Sequence, residues 1–292
     1  MHIVTVIAAT ERADLTPDRV NALRHLFEGG NPVWLADKIA AEFPVSALPE
    51  DAAAIATDTR MAGFDLVIQP VAGRRKAVLL ADMDSTMIQQ ECIDELAAEA
   101  GVGARVAEIT ARAMNGELNF HEALLERVGL LAGLGEEVIG QVLDQRITLA
   151  PGGRELIATM RAQGAYTALV SGGFTAFTGP VAGMLGFDEH RANTLLADDG
   201  VLTGHVGLPV LGREAKLQAL EEITAARGLT PDDAMAVGDG ANDLDMIRRA
   251  GTGVALHAKP VVAEQAAVRI DHGDLTALLY MQGYGRDEFV TG

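Results

Sequence analysis

The stretch "LLADMDSTMIQQE", residues 79 to 91, sets Asp82 and Asp84 one residue apart at the end of an apolar run, and Glu91 follows seven residues later. Like charges at that spacing repel, and dry surroundings raise the cost of each. On locally extended backbone the two acids project to one side while Met83 turns to the other. Such a pair is tolerable against a hard divalent cation, since Mg²⁺ takes carboxylate and carbonyl oxygens and offsets the repulsion. Two further apolar runs also finish on polar groups, "TALV" on Ser171 and "AMAVGD" on Asp239, with Asp243 close behind. A single strand ending in Asp or Ser is most often a turn former or a helix cap. Three together, one of them a pair of acids, point to segments that converge, and Asp239 is a third acid for an ion.

Other chemistries fail on spacing. An EF-hand read from Asp82 has Met87 where that loop needs Gly and Ile93 where it needs a bidentate Glu. "GDGAND" supplies Gly238 and Gly240 but Asp243 in place of the third glycine of a dinucleotide fingerprint. The seven histidines have no ligand spacing and read as structural or surface residues. What remains is covalent catalysis by a carboxylate, in which one Asp attacks phosphorus to give an aspartyl-phosphate and a second acid handles protons. Two neighbouring carboxyls divide those roles when one is held ionised by a metal and the other keeps a proton.

Positioning such groups requires strands that end along one edge. From residue 76 onward, β-rich runs ("KAVLLAD", "AYTALVSGG", "AMAVGDG", "GTGVAL") alternate with helical stretches such as 213 to 227, which predicts a doubly wound α/β fold, a parallel sheet covered by helices on both faces. In that architecture the carboxyl ends of the strands form the ligand edge. Residues 92 to 150 break the rhythm with helical patterning alone and read as a helical lid, starting at about 89. Residues 192 to 208 read as a hairpin turning at Asp199-Gly200. Before the seam "AGRRKAV", residues 2 to 9, 16 to 28, "PVWLA", a further run near 42 to 47, a helix and "FDLVIQPV" predict a small α+β sandwich, with the boundary near residue 73.

Composition narrows the function. With 23 Lys plus Arg against 41 Asp plus Glu the net charge is -18, which disfavours nucleic acid and anionic lipid as partners. The single cysteine, Cys92, excludes an internal disulfide and a cysteine zinc cage and fits a reducing compartment, the cytoplasm being the natural expectation. It is expected to pack at the root of the lid. No stretch has the length of a membrane span, and the first residues read as a strand rather than a leader.

"DMDST", "SGG", the lysine of "GREAK" and "GDGANDLDM" resemble the four motifs of the haloacid dehalogenase superfamily of phosphohydrolases, over about residues 76 to 283. Within it, "IQQECIDELAAEAG", "ITARAMNGELNFHEALLERVGLL" and "VSGGFT" resemble the phosphoserine phosphatase family. The resemblance implies a haloacid dehalogenase-like core over 74 to 292 with a helical cap at about 89 to 150. It implies Asp82 as nucleophile and Asp84 as the acid that protonates the leaving serine oxygen and then the base that activates water. Mg²⁺ would be held by the Asp82 carboxylate, the Asp84 carbonyl and Asp239, with Asp243 completing or orienting the shell. Ser171 and the Gly172 amide would bind phosphoryl oxygens, Lys216 would neutralise phosphate charge, and Asn242 would contact substrate. By matching position Glu91 would take the substrate ammonium and Arg127 its carboxylate, with Met114 and Phe120 as apolar walls. Taken alone, Glu91 and Arg127 read as solvated surface charges, and only the family context gives them roles.

The implied activity is hydrolysis of a small molecule, O-phospho-L-serine, by a monomer or homodimer, as the last step of serine biosynthesis. A related phosphatase or phosphotransferase acting on phosphothreonine or homoserine phosphate stays open, because a methyl group changes pocket selectivity by only about 1 to 3 kcal/mol. Residues 1 to 73 resemble the ferredoxin-like (ACT-like) sandwiches that precede the catalytic domain in longer members. That leaves a different class open, an amino-acid sensor with a vestigial phosphatase half, against which the intact Asp82, Asp84, Lys216 and Asp239 argue.

Overall fold

The computed structural model describes residues 1–114 and 117–291, the side chain of Met114 excepted. The chain starts with β1 (His2–Ala8), α1 (Pro17–Leu26), β2 (Val33–Ala36), β3 (Ala40–Val45), α2 (Ala52–Met61) and β4 (Phe64–Pro70). These strands form an antiparallel sheet in the order β2-β3-β1-β4. Helix α1 begins where the Thr16 side chain accepts the Arg19 amide and Pro17 presets the first turn. The further run expected near 42 to 47 lies slightly earlier, as β3. Val4, Val6 and Ala8 of β1 pack with α1 and α2, and the opposite face of the strand turns Ile7 into the core of the rest of the molecule. Both faces of β1 are therefore buried, and only its end is exposed.

The second sheet has six parallel strands in the order β12-β11-β10-β5-β6-β7, comprising β5 (Val78–Ala81), β6 (Tyr166–Phe174), β7 (Glu189–Asn193), β10 (Ala234–Gly238), β11 (Thr252–Leu256) and β12 (Val268–Ile270). The chain moves outward from β5 through β6 to β7, then crosses back to β10 beside β5. The switch point, where loops diverge and leave a crevice, thus falls between β5 and β10. Period two sorts the side chains of β5: Leu79 and Ala81 join one core, Val78 and Leu80 the other. The first face is covered by α7 (Gly153–Ala162), α8 (Thr175–Leu185) and α12 (Ala277–Met281), the second by α9 (Arg213–Ala225) and α10 (Leu244–Arg249). A short helix α11 (Pro260–Ala263) follows β11.

Between β5 and α7 the lid is helical, with α3 (Cys92–Glu99), α4 (Gly103–Met114), α5 (Phe120–Gly129) and α6 (Glu137–Gln145). A capping box between Asn119 and Glu122 starts α5. The expected hairpin is present as β8 (Leu195–Asp198) and β9 (Val201–Val206), but it begins later than 192, because Glu189–Asn193 is the outermost parallel strand. That strand and β12 carry little sequence signal: "EHRAN" is polar and half exposed at a sheet edge, and β12 has three residues. The hairpin braces the lid through Gly133 N–H to Leu202 O (2.9 Å) and Leu202 N–H to Leu134 O (2.8 Å). No helix among the described residues is long and apolar enough to cross a membrane.

Candidate active site

Alternation along β5 decides where the acids go. Asp82 continues on the face of Val78 and Leu80, toward α9, and Met83 continues on the other face, fully buried in that core. Lys216 of α9 is consequently opposite Asp82, its Nζ 2.8 Å from Asp82 Oδ1 and 2.6 Å from Asp243 Oδ1, with no exposure to solvent. Burial by itself would lower an ammonium, but Asp243 and Asp82 outweigh it and hold Lys216 charged above its ordinary range. Asp243 is fixed further by accepting the Gly240 amide at 3.0 Å.

Oxygens of Asp82, Asp239 and Asp243 lie within 4.8 Å of one another, all three residues buried. Desolvation first, then the Asp82 charge, pushes Asp239 up to about 6 and Asp243 up to about 7. Buried carboxylates crowded until they bind protons near neutrality are groups short of positive charge. The donor set is hard oxygen without sulfur or imidazole, which fits a divalent cation of the magnesium or calcium type.

Asp84 lies across the same cavity. Desolvation and then repulsion from Glu91 raise it to about 7, against the opposing hydrogen bond from the Cys92 amide (3.1 Å to Oδ1). A carboxyl poised there can both give and take a proton near neutral pH. Cys92 is fully buried at the root of the lid, and burial followed by the Asp84 charge pushes its thiol up, so it is inert as a nucleophile.

The segment around Ser171 and Gly172 differs from the sequence reading. The strand does not stop at Ser171; β6 runs on to Phe174, with its pairing to β7 interrupted between Val170 and Phe174. Residues 171 to 173 form the irregularity, and Ser171 Oγ accepts the Gly173 amide at 2.9 Å. A Cβ on Gly173 would come within 2.7 Å of Asp84 Oδ2, and one on Gly172 within 3.0 Å of the Phe120 ring. Both glycines are needed for close approach rather than for a left-handed turn. Asn193 secures the segment from behind: its Nδ2 donates to Gly172 O (2.9 Å) and Leu211 O (3.1 Å), and its Oδ1 accepts the Leu211 amide (2.6 Å).

Several of these groups line one cavity of about 120 Å³. Asp82, Asp84, Ser171, Gly172, Asp239 and Asn242 form its inner part; Glu91, Phe120 and Arg127 come from the lid. Lys216 and Asp243 stand behind Asp82. Glu91 accepts the Ser85 hydroxyl at 2.7 Å and is raised by desolvation, with Asp82 adding to the effect. Desolvation lowers Arg127, partly countered by Asp94, Glu91 and Asp84. The expected wall at Met114 lies outside the described residues. Among groups the sequence reading did not single out, Lys259 also lines the cavity, and its amide donates to Asp239 O at 3.1 Å. It follows the end of β11, so the strand-end argument used for Asp82 and Asp239 extends to it. Asn193 had no such signal, since its strand was not legible.

The family model of haloacid dehalogenase-like hydrolases matches residues 79–248, and the chain belongs to that family. Within it, the chain is 42% identical to a phosphoserine phosphatase of Streptomyces coelicolor over 85% of its own length, and it spans 62% of the length of that relative. A solved phospho-aspartyl intermediate analogue of phosphoserine phosphatase is similar at 42% identity and a TM-score of 0.66, over 70% of this chain and 98% of that one. A haloacid dehalogenase family hydrolase of Salmonella enterica serovar Typhi matches 97% of this chain and 99% of its own, at 30% identity and a TM-score of 0.86.

Proposed function

We propose that the chain is a Mg²⁺-dependent phosphatase that hydrolyses O-phospho-L-serine to L-serine and phosphate through an aspartyl-phosphate on Asp82. The observation that carries this reading is the division of labour in one small cavity. Asp82 is tied to a buried ammonium, while Asp84, facing the same space, is raised to about 7. A Asp82 oxygen attacks phosphorus as the bond from phosphorus to the serine oxygen breaks, and Asp84 delivers its proton to that oxygen. Asp84, now ionised, takes a proton from water as the water oxygen attacks phosphorus, and the bond to Asp82 breaks to release phosphate. Ser171 and the Gly172 amide hold phosphoryl oxygens, Lys216 offsets their charge, and Asn242 contacts the substrate from the last motif. Asp82, the Asp84 carbonyl and Asp239, with Asp243 in support, would hold Mg²⁺, which would supply the positive charge that these crowded acids and the phosphoryl group lack.

The lid sets the substrate class. Glu91 suits an ammonium, Arg127 a carboxylate, and Phe120 closes over the organic part. A cavity of about 120 Å³ favours a free phosphorylated amino acid over a phosphoprotein segment. The phosphoserine phosphatases similar to this chain support the same substrate. We read residues 1–73 as a separate ferredoxin-like module joined to a catalytic unit at 74–292, supported by a sheet and an apolar core of its own. One buried thiol fits a cytoplasmic enzyme. A screen of phosphoserine, phosphothreonine, homoserine phosphate and 4-nitrophenyl phosphate, with and without Mg²⁺, tests the reading. The highest kcat/KM should belong to phosphoserine and vanish on chelation. Equal values across the series would sink the substrate assignment.

A further inference from the structure

The loop that carries Asp84 has a cavity on each side. Asp84 faces the reaction cavity, whereas Thr86, Ile88 and Gln89 line a separate cleft of about 390 Å³ between the two sheets. Its other walls are the exit of β1 at Thr10 and Glu11 and the loop after β12. Backbone bonds hold these walls. The buried Asp65 of β4 accepts the amides of Asp271 (2.8 Å), His272 (3.1 Å) and Gly273 (2.7 Å), which latches the β12 loop to the first sheet. On the loop side, Gln89 N–H donates to Thr148 O (3.0 Å) and Ala150 N–H to Met87 O (2.9 Å).

Among the described residues the lining contains no Lys or Arg; its acids are Glu11 and Asp274, and its imidazoles are His257 and His272, the latter hydrogen-bonded through Nε2 to Arg60 O at 2.9 Å. Asp274 already accepts the Thr276 amide (2.8 Å) and hydroxyl (2.5 Å). Glu11 is exposed, and the adjacent Arg12 turns away to Asp14 at 3.3 Å. Thr86 adds a buried hydroxyl that has no hydrogen-bond partner among the described residues. A buried polar atom without a partner is an opening for a ligand group or water. Two carboxylates with no Lys or Arg beside them among the described residues favour a cation with hydrogen-bonding capacity.

The shared wall gives such a ligand a route to the chemistry. Ser85 lies between the cavities in left-handed backbone (φ 55°), a conformation that costs a non-glycine residue energy, and its hydroxyl donates to Glu91 at 2.7 Å. One hydrogen bond thus connects the wall of the cleft to Glu91.

We propose that the cleft is a second small-molecule site, selective for a compact ammonium compound held by Glu11, and that occupancy is transmitted through Ser85 to Glu91. The binding half stands independently of the proposed phosphatase activity; the effect on turnover rests on it. Ethanolamine is the probe, with glycolate, of similar size and opposite charge, as control. Calorimetry on the full chain should show ethanolamine binding and no glycolate binding. Glu11→Gln should weaken ethanolamine by roughly three- to tenfold, the range for one partly exposed charged hydrogen bond. Thr10→Trp, which fills the cleft, should abolish binding. With saturating phosphoserine, ethanolamine should change kcat about twofold or more, an effect that competition at the reaction cavity cannot produce. Glu11→Gln without ethanolamine should keep the wild-type kcat. Purely competitive behaviour, or equal ethanolamine affinity in the wild type and both variants, overturns the site. Binding that is lost in the variants but leaves kcat untouched overturns the link to Glu91. A protein inactive on every phosphate ester would refute the phosphatase reading while calorimetry still decided on the cleft.

Discussion

Replacing Lys216 with methionine tests whether the buried charge balance around Asp82 is as described. The variant keeps the length and apolar stem of the side chain but removes the ammonium that sits 2.8 Å from Asp82 and 2.6 Å from Asp243. Two carboxylates then remain in a solvent-free site without their cation, and breaking a buried pair from one side costs about 3–5 kcal/mol. For a chain of this size that corresponds to a fall in Tm on the order of 10 °C. The loss should depend on pH. Asp243 is raised from 3.8 to about 7, so the folded protein binds a proton that the unfolded chain releases, and this group's contribution to stability falls as pH rises between those values. Without Lys216 the carboxyl moves higher still, which extends the unfavourable window upward. Urea denaturation in EDTA at pH 5 and pH 8 is the assay. Lys216→Met should lose most at pH 8 and recover part of the difference at pH 5, where the acids are protonated. A loss below about 1 kcal/mol at pH 8, or one identical at the two pH values, would refute the pairing argument.

Asp82→Asn should abolish turnover and the acid-stable trapping of phosphate on the protein while leaving the fold unchanged; near-normal turnover would remove the assigned nucleophile. Arg127→Ala should lower kcat/KM for phosphoserine by about 10- to 150-fold, the range for one charge-assisted hydrogen bond, and should leave 4-nitrophenyl phosphate nearly unaffected. Equal losses on both substrates would show that Arg127 does not read a carboxylate. Asp65→Ala leaves three amides of the β12 loop without their acceptor and should cost about 3 kcal/mol in urea denaturation, with a smaller loss in Asp65→Asn, which keeps one acceptor oxygen. A near-neutral Asp65→Ala would mean that the two sheets are not latched there.

The sequence by itself determined most of what is local. Apolar runs ending in Asp82 and Asp239 are strand signals, and period two already sent Met83 to the side opposite its acidic neighbours. The helical patterning of residues 92 to 150 marked the lid, and Asp199-Gly200 marked the hairpin turn. Each of these rests on the preference of a few neighbouring residues, which a linear chain displays directly.

Tertiary structure alone decided what the strands bring together. That Lys216 faces Asp82 and Asp243 follows from α9 covering one particular face of β5, a choice made by packing across more than a hundred residues of chain. The two edge strands β7 and β12 are polar or short and pair only because an adjacent strand offers its backbone, so no periodicity marks them, and Asn193 went unseen with β7. The raised acids Asp84, Asp239 and Asp243 depend on dehydration, and the cleft behind the Asp84 loop depends on how the first sheet sits against the second. Burial and juxtaposition are properties of the packed chain, and a residue's type states only what it would do once placed there.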